Sequence, residues 1–172
     1  MTTVWTDARG ATHSPQLIPF LDTTSDDKTY AYPTTIYTTL SPAISETAAL
    51  TTNPVTELCA LAFPTSFTPD EQSALHQNLI DFRTALTHDL PANDRPVSWA
   101  MGHVDRPGQV AHEKSPSGEA FVHFLAVGWE SVEKHRAVKE SAVFKGAIGP
   151  IREKMLAPVQ ALGMKHVSFK PI

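Results

Sequence analysis

Ala120-Phe-Val-His-Phe-Leu-Ala-Val-Gly-Trp129 runs straight into Glu130-Ser-Val-Glu-Lys-His135, and this junction decides the fold. An almost unbroken apolar run of strand length, then a hydroxyl able to cap a helix, predicts a buried strand followed by a helix. One ionisable side chain, His123, lies in the middle of the strand. It is either a core histidine bonded to a neighbour or a working group in a cavity. Alternation puts Phe121, His123, Leu125 and Val127 on one face and Ala120, Val122, Phe124 and Ala126 on the other. Both faces are apolar, so parity alone leaves open which one lines a cavity.

Working outward, Val55 to Phe63 is a second apolar run of strand length. Thr68-Pro69-Asp70-Glu71 follows, with a hydroxyl at the N-cap, Pro at the first helical position and Glu at the third, which is a capping box. The helix it starts carries Leu75, Leu79, Phe82 and Leu86 on one stripe, up to the breaker Asp89-Leu-Pro-Ala-Asn-Asp94. Val97 to Val104 alternates large and small side chains and predicts another strand. Residues 105–118 hold Pro, Gly, Ser and charges and predict a long hairpin loop. Beyond Trp129, Ser131 caps a short helix and Ser141 caps another with Phe144, Ile148, Ile151 and Met155 on one side. Gly149-Pro150 predicts a kink or division. Gly163 to Lys170 alternates again as a last strand.

Residues 1–53 differ from the rest. They are rich in Thr, Ser and Pro, with scattered Trp5, Phe20, Tyr30, Tyr32, Ile36 and Tyr37, which predicts an N-terminal extension or arm ahead of one domain over 54–172. The 172 residues, 41% of them hydrophobic, suffice for one substantial core. The 14 Lys and Arg against 18 Asp and Glu give a net charge of -4, with no basic cluster to follow a phosphate backbone, so nucleic acid is not an expected partner. The lone cysteine, Cys59, sits in an apolar run and has no intramolecular partner. No signal-peptide pattern and no span-length apolar run occur, so the expectation is a cytoplasmic protein that does not cross a membrane.

The order strand, helix, strand, strand, helices, strand is the split βαβ, ferredoxin-like arrangement: an α+β fold with an antiparallel sheet and helices on one face. An apolar opposite face predicts pairing of two copies into a barrel-like homodimer, with a cavity between the sheets as the natural pocket. From about Thr56 to Phe169 the chain resembles the dimeric α+β barrel superfamily. Gly128-Trp-Glu-Ser-Val-Glu-Lys-His135 is similar to the strand-to-helix junction of fungal antibiotic-biosynthesis-monooxygenase-like (ABM-like) proteins. Phe121-Val122-His123 resembles the aromatic-Thr-His strand of plant stress-responsive α/β-barrel polyketide cyclases. Two departures matter. The Tyr and His of the cyclase dyad fall on Val138 and Phe144, and a histidine common near the first strand falls on Glu57.

The resemblance implies that the His123 face is interior, opposite Glu57, Cys59, Leu61 and Phe63. An imidazole with an ordinary pKa near 6.5 suits general base work at neutral pH, more so with a carboxylate to orient it. His123 is therefore the candidate catalytic base and Glu57 the candidate orienting group; the alternatives are a core histidine and a strand-end charge. Trp99, Met101 and His103 share a strand face and could hold a flat ligand or simply be core. Phe121, Leu125 and His166 complete the candidate substrate-binding set. Trp129 is expected to fix the helix on the sheet, and His135, between Lys134 and Arg136, to face solvent.

No His-x-x-x-His or His-Glu-x-x-His spacing, phosphate-binding glycine loop, dinucleotide fingerprint or Gly-x-Ser-x-Gly elbow occurs. No metal and no cofactor are expected. The missing motifs point away from a cofactor, and the resemblance implies an enzyme of specialised metabolism acting on a polyketide-like or aromatic substrate. A cyclase or isomerase and a cofactor-free monooxygenase both begin with the same proton removal. A non-catalytic barrel that binds a hydrophobic small molecule is the third possibility.

Overall fold

A computed structural model of the chain describes residues 36–43, 46, 52–106, 108–159 and 162–169. Trp5, Phe20, Tyr30 and Tyr32, and with them most of the expected arm, lie outside the described residues. The elements in chain order are β1 (Tyr37–Ser41), β2 (Val55–Pro64), α1 (Pro69–Thr84), β3 (Ser98–Arg106), β4 (Gln109–Ala111), β5 (Glu119–Trp129), α2 (Val132–Glu140), α3 (Ala142–Arg152) and β6 (Lys165–Val167).

Local signals account for the helix starts. The Thr68 hydroxyl accepts from the Glu71 amide while Glu71 accepts from the Thr68 amide at 2.8 Å, which closes the capping box of α1. Ser131 and Ser141 cap α2 and α3 by accepting from the amides of Lys134 and Phe144. Each such cap satisfies amides that the helix itself leaves open, and contributes about 1 kcal/mol. α3 continues through Pro150 to Arg152 without the expected division. The proline sits in the last turn, where one missing amide costs little, and the residue four before it is Gly146, which has no side chain to crowd its ring.

The sheet order is β1-β3-β5-β2-β6, with β4 also paired to β5, and every pairing is antiparallel. β2 and β3 each oppose β5, so they are parallel to one another, with α1 crossing between them and β5 inserted in the gap. That is a split βαβ unit in an α+β fold, consistent with a ferredoxin-like arrangement. β1 falls in the stretch expected to be an arm, yet it extends the sheet along β3. At Gly102 the backbones approach so closely that a Cβ would lie 1.8 Å from the Thr39 carbonyl oxygen, which only glycine allows. β4 lies inside the expected 105–118 loop, between Gly108 and Gly118, whose positive φ angles of 85° and 77° turn the chain.

The three α-helices among the described residues cover one face. Leu61 and Phe63 of β2, Trp99 of β3 and Leu125 and Val127 of β5 pack against Leu75, Leu79 and Phe82 of α1, Val138 of α2, and Phe144, Ile148 and Ile151 of α3. Each fully buried side chain of this size contributes roughly 1.5–3 kcal/mol. The opposite face carries small residues, Ala60, Ala62, Ala100, Ala120 and Ala126, beside Val104, Val122 and Phe124, and Leu156, Val159 and Leu162 pack against part of it. The Leu156 amide donates to the Ala62 carbonyl at 2.9 Å, and the buried His112 ring contacts the Ala157 carbonyl at 2.7 Å, so this post-helical segment is tied to both β2 and the β4 turn.

Candidate functional site

His123 faces the helices. Its strand position sets it opposite His103 on β3 and Leu61 on β2, and directly opposed residues on one face bring their Cβ atoms within about 5.5 Å. Phe63 and Phe121 flank the ring, each 5.8 Å away in edge-to-face geometry. His123 lines a cleft of about 490 Å³ to which α1 also contributes residues. Leu75 and Phe121 contribute apolar lining, and Val104 and Val122, which pack in the cluster on the opposite face, border it. Its polar lining comes from Thr65, Gln72, His76, His103, Gln109 and His123. A cleft of this size, with polar side chains set among apolar ones, is large enough for a small organic ligand. It is lined by residues of α1, β3 and β5 of a single chain. The approach of α1 residues to this part of the sheet is invisible in strand parity.

Burial pushes the His123 pKa down to about 4, the charges of His103 and His76 push the same way, and a backbone hydrogen bond at Gly102 pulls back. The imidazole is therefore neutral at pH 7, and a ring held by the backbone through one nitrogen keeps the other free to accept a proton. His103 is itself oriented: its Nε2 lies 3.0 Å from Asp105 Oδ1, and the Thr39 hydroxyl donates to Asp105 Oδ2 at 2.7 Å. Among the described residues no group of three or more His, Cys, Asp or Glu side chains is placed to hold a metal ion, and no helix is long and apolar enough to cross a membrane.

A histidine kept neutral by burial makes folding depend on pH with a definite sign. Below pH 6.5 the unfolded chain binds a proton at this position that the folded chain refuses until about pH 4. His123 therefore subtracts stability as pH falls through that window, at up to about 1.4 kcal/mol per pH unit. Urea unfolding of the wild type and His123→Gln between pH 7 and pH 4 is expected to give a shallower fall for the variant. Parallel curves would show that His123 titrates as in the unfolded chain.

The candidates fall into three places. His103, Phe121 and His123 line the cleft. Trp99, Met101 and Leu125 share their face but pack in or against the core behind it, Trp99 edge-on to Phe82 at 5.7 Å. Glu57 and His166 sit elsewhere. Glu57 pairs with Val127 while His123 pairs with Leu61, a separation of four residues, or roughly 13 Å along the strand. Glu57 thus shares the face of His123 but does not orient it.

Instead Glu57 closes a second cluster at the α2 end of the sheet. Its Oε2 accepts from Trp129 Nε1 at 3.1 Å and lies 3.3 Å from His135 Nε2. His135 Nδ1 is 2.7 Å from His166 Nε2, and the His135 ring stacks on Trp129 at 4.6 Å and 10°. His135, expected to face solvent, is 1% exposed. Lys134 and Arg136 misdirect the reading because sequence neighbours point away from one another on a helix. Val132, His135 and Val138, spaced by three, share one face, and that spacing is the signal that could have shown it. His76, which no sequence signal singles out, follows Leu75 on α1 and is an exposed residue at the lining of the cleft. A scan against known protein families finds no match to this chain, and a comparison with curated proteins finds none either.

Proposed function

We propose that the chain is a cofactor-independent enzyme of specialised metabolism, of the cyclase or isomerase type, that binds a polyketide-like or aromatic molecule in the α1 cleft and removes a proton from it with His123. The observation that carries this reading is a neutral imidazole inside a partly apolar cleft, between Phe63 and Phe121. A flat conjugated substrate would lie against Phe121 and Leu75. Deprotonation next to a carbonyl yields an enolate beside an imidazolium, and the new opposite charges offset the burial that keeps His123 neutral at rest. The enolate then attacks an internal electrophile in a cyclase, or oxygen in a cofactor-free monooxygenase.

Membership of the dimeric α+β barrel superfamily, with pairing through the helix-free face, belongs to the same proposal. The run of alanines beside Leu58 and Phe124 on that face supports it. A solution mass equal to the single 18.8 kDa chain would overturn the pairing.

The test is turnover. With an aromatic ketone such as acetophenone in D2O, the wild type is expected to accelerate exchange of the protons next to the carbonyl. His123→Ala is expected to lose about 10²–10⁴ of that acceleration. Equal exchange by a folded His123→Ala rejects His123 as the base, and binding of the ketone without any exchange favours a purely ligand-binding protein. Product formation with oxygen removed separates cyclisation from oxygenation.

A further inference from the structure

The cluster around Glu57 plays no part in the proposed chemistry, and it brings together titratable side chains from β2, α2 and β6. Hydrogen-bond accounting assigns its protons. An ionised Glu57 only accepts, so Trp129 Nε1 donates to Oε2, and His135 Nε2, which lies 3.3 Å from the same oxygen in an ion-pair contact, is favoured in its protonated form. A neutral His135 then has an acceptor at Nδ1, and the 2.7 Å contact makes His166 Nε2 the donor. His166 is half-buried on the edge strand β6, directly opposite Glu57 in the β2/β6 register. Its Nδ1 is the outer end of the chain.

We propose that Glu57, His135 and His166 form a one-proton relay, in which a proton taken up at His166 Nδ1 is delivered to the buried Glu57 carboxylate with both imidazoles left neutral. The transfer balances. His166 gains a proton at Nδ1 and passes its Nε2 proton to His135 Nδ1, and His135 passes its Nε2 proton to Glu57 Oε2. The hydrogen bond between the two imidazoles survives with its direction reversed, the 3.3 Å approach of His135 Nε2 to Glu57 Oε2 is the gap the proton crosses, and Trp129 donates to the carboxyl in both states. The network thus has two protonation states in which both imidazoles are neutral.

Surroundings favour the carboxyl as the place where the proton stops. Burial raises the Glu57 pKa, opposed by the Trp129 hydrogen bond and by Lys139. Burial lowers that of His135 to about 4, helped by His166 and Lys139. The His166 pKa is lowered by burial and by Arg136 and Lys139, with Glu133 opposing. On β2, Cys59 is the remaining titratable neighbour, and burial followed by the Glu57 charge keeps its thiol protonated, with the pKa pushed up to about 12. Lys165 of β6 lies on the opposite side of its strand.

Side-chain NMR of the full chain tests the relay. With labelled histidine and glutamate, acidification from pH 8 is expected to protonate Glu57 at a pH above the ordinary carboxylate range. Over the same pH interval the two ring nitrogens of His135 should exchange their protonated and unprotonated resonance positions. Glu57→Gln should abolish that exchange. The proposal is overturned if His135 or His166 moves to imidazolium positions while Glu57 stays ionised. It is equally overturned if Glu57 titrates and the His135 tautomer does not change, or if the exchange persists in Glu57→Gln. None of these outcomes depends on His123 or on a substrate.

Discussion

Trp129→Ala is expected to lower folding stability by about 3–5 kcal/mol, read as a shift in the urea midpoint with little change in slope. Trp129 is 1% exposed at the end of β5, where the chain turns into α2. Its ring fills the space between the sheet and His135, and its indole N–H donates to a carboxylate that burial already disfavours. Truncation therefore opens a void and removes a donor from a buried charge together. Trp129→Phe divides the two effects: it keeps most of the ring, loses the N–H, and should cost about 1–3 kcal/mol. The Glu57 pKa should rise further in that variant, because the Trp129 hydrogen bond is what pulls it down. A neutral Trp129→Phe would mean that the hydrogen bond contributes nothing and packing everything.

Phe63→Ala is expected to cost a similar 3–5 kcal/mol and, unlike Trp129→Ala, to reach the cleft. Phe63 is fully buried, stacks on Phe121 at 5.5 Å and stands edge-on to His123. Burial is the leading cause of the low His123 pKa. A void beside the ring admits water and weakens that cause, so the His123 pKa should climb from about 4 towards 6.5. An NMR titration of His123 in the folded variant checks this. Lost stability with an unmoved pKa would show that other walls of the site exclude the water. In the proposed enzyme the same change would leave part of His123 protonated at pH 6 and cut proton removal there.

The two variants probe the two ends of one sheet face, and the sequence treats those ends unequally. Around His123 it is informative. Alternation sets Phe121, His123 and Leu125 on one side, and the same parity on β3 brings His103 level with His123 once the strands pair. Around Glu57 it misleads, since shared parity suggests a Glu57 and His123 pair while the register sets them four residues apart. Parity specifies a face; position along the strand comes from register, which is a relation between chains of residues far apart in sequence. The partners that Glu57 does have lie at Trp129 and His135, and the second of these is disguised by its charged neighbours.

What the sequence alone determined is whatever local chemistry decides: the Thr68 and Glu71 capping box, the serine caps of α2 and α3, the strand at Ala120–Trp129 and the order of elements that yields a split βαβ sheet. Those features depend on side chains within a few residues of one another, and they act before any tertiary contact exists. Only the tertiary structure decided that the helices cover the His123 face, that α1 contributes residues to the cleft His123 lines, that Tyr37–Ser41 joins the sheet, and that His135 is buried against Glu57. The reason is physical. Burial, desolvation and hydrogen bonding between distant strands and helices arise from packing, and the groups they govern here, His123, Glu57, His135 and His166, are those whose protons the neighbours control.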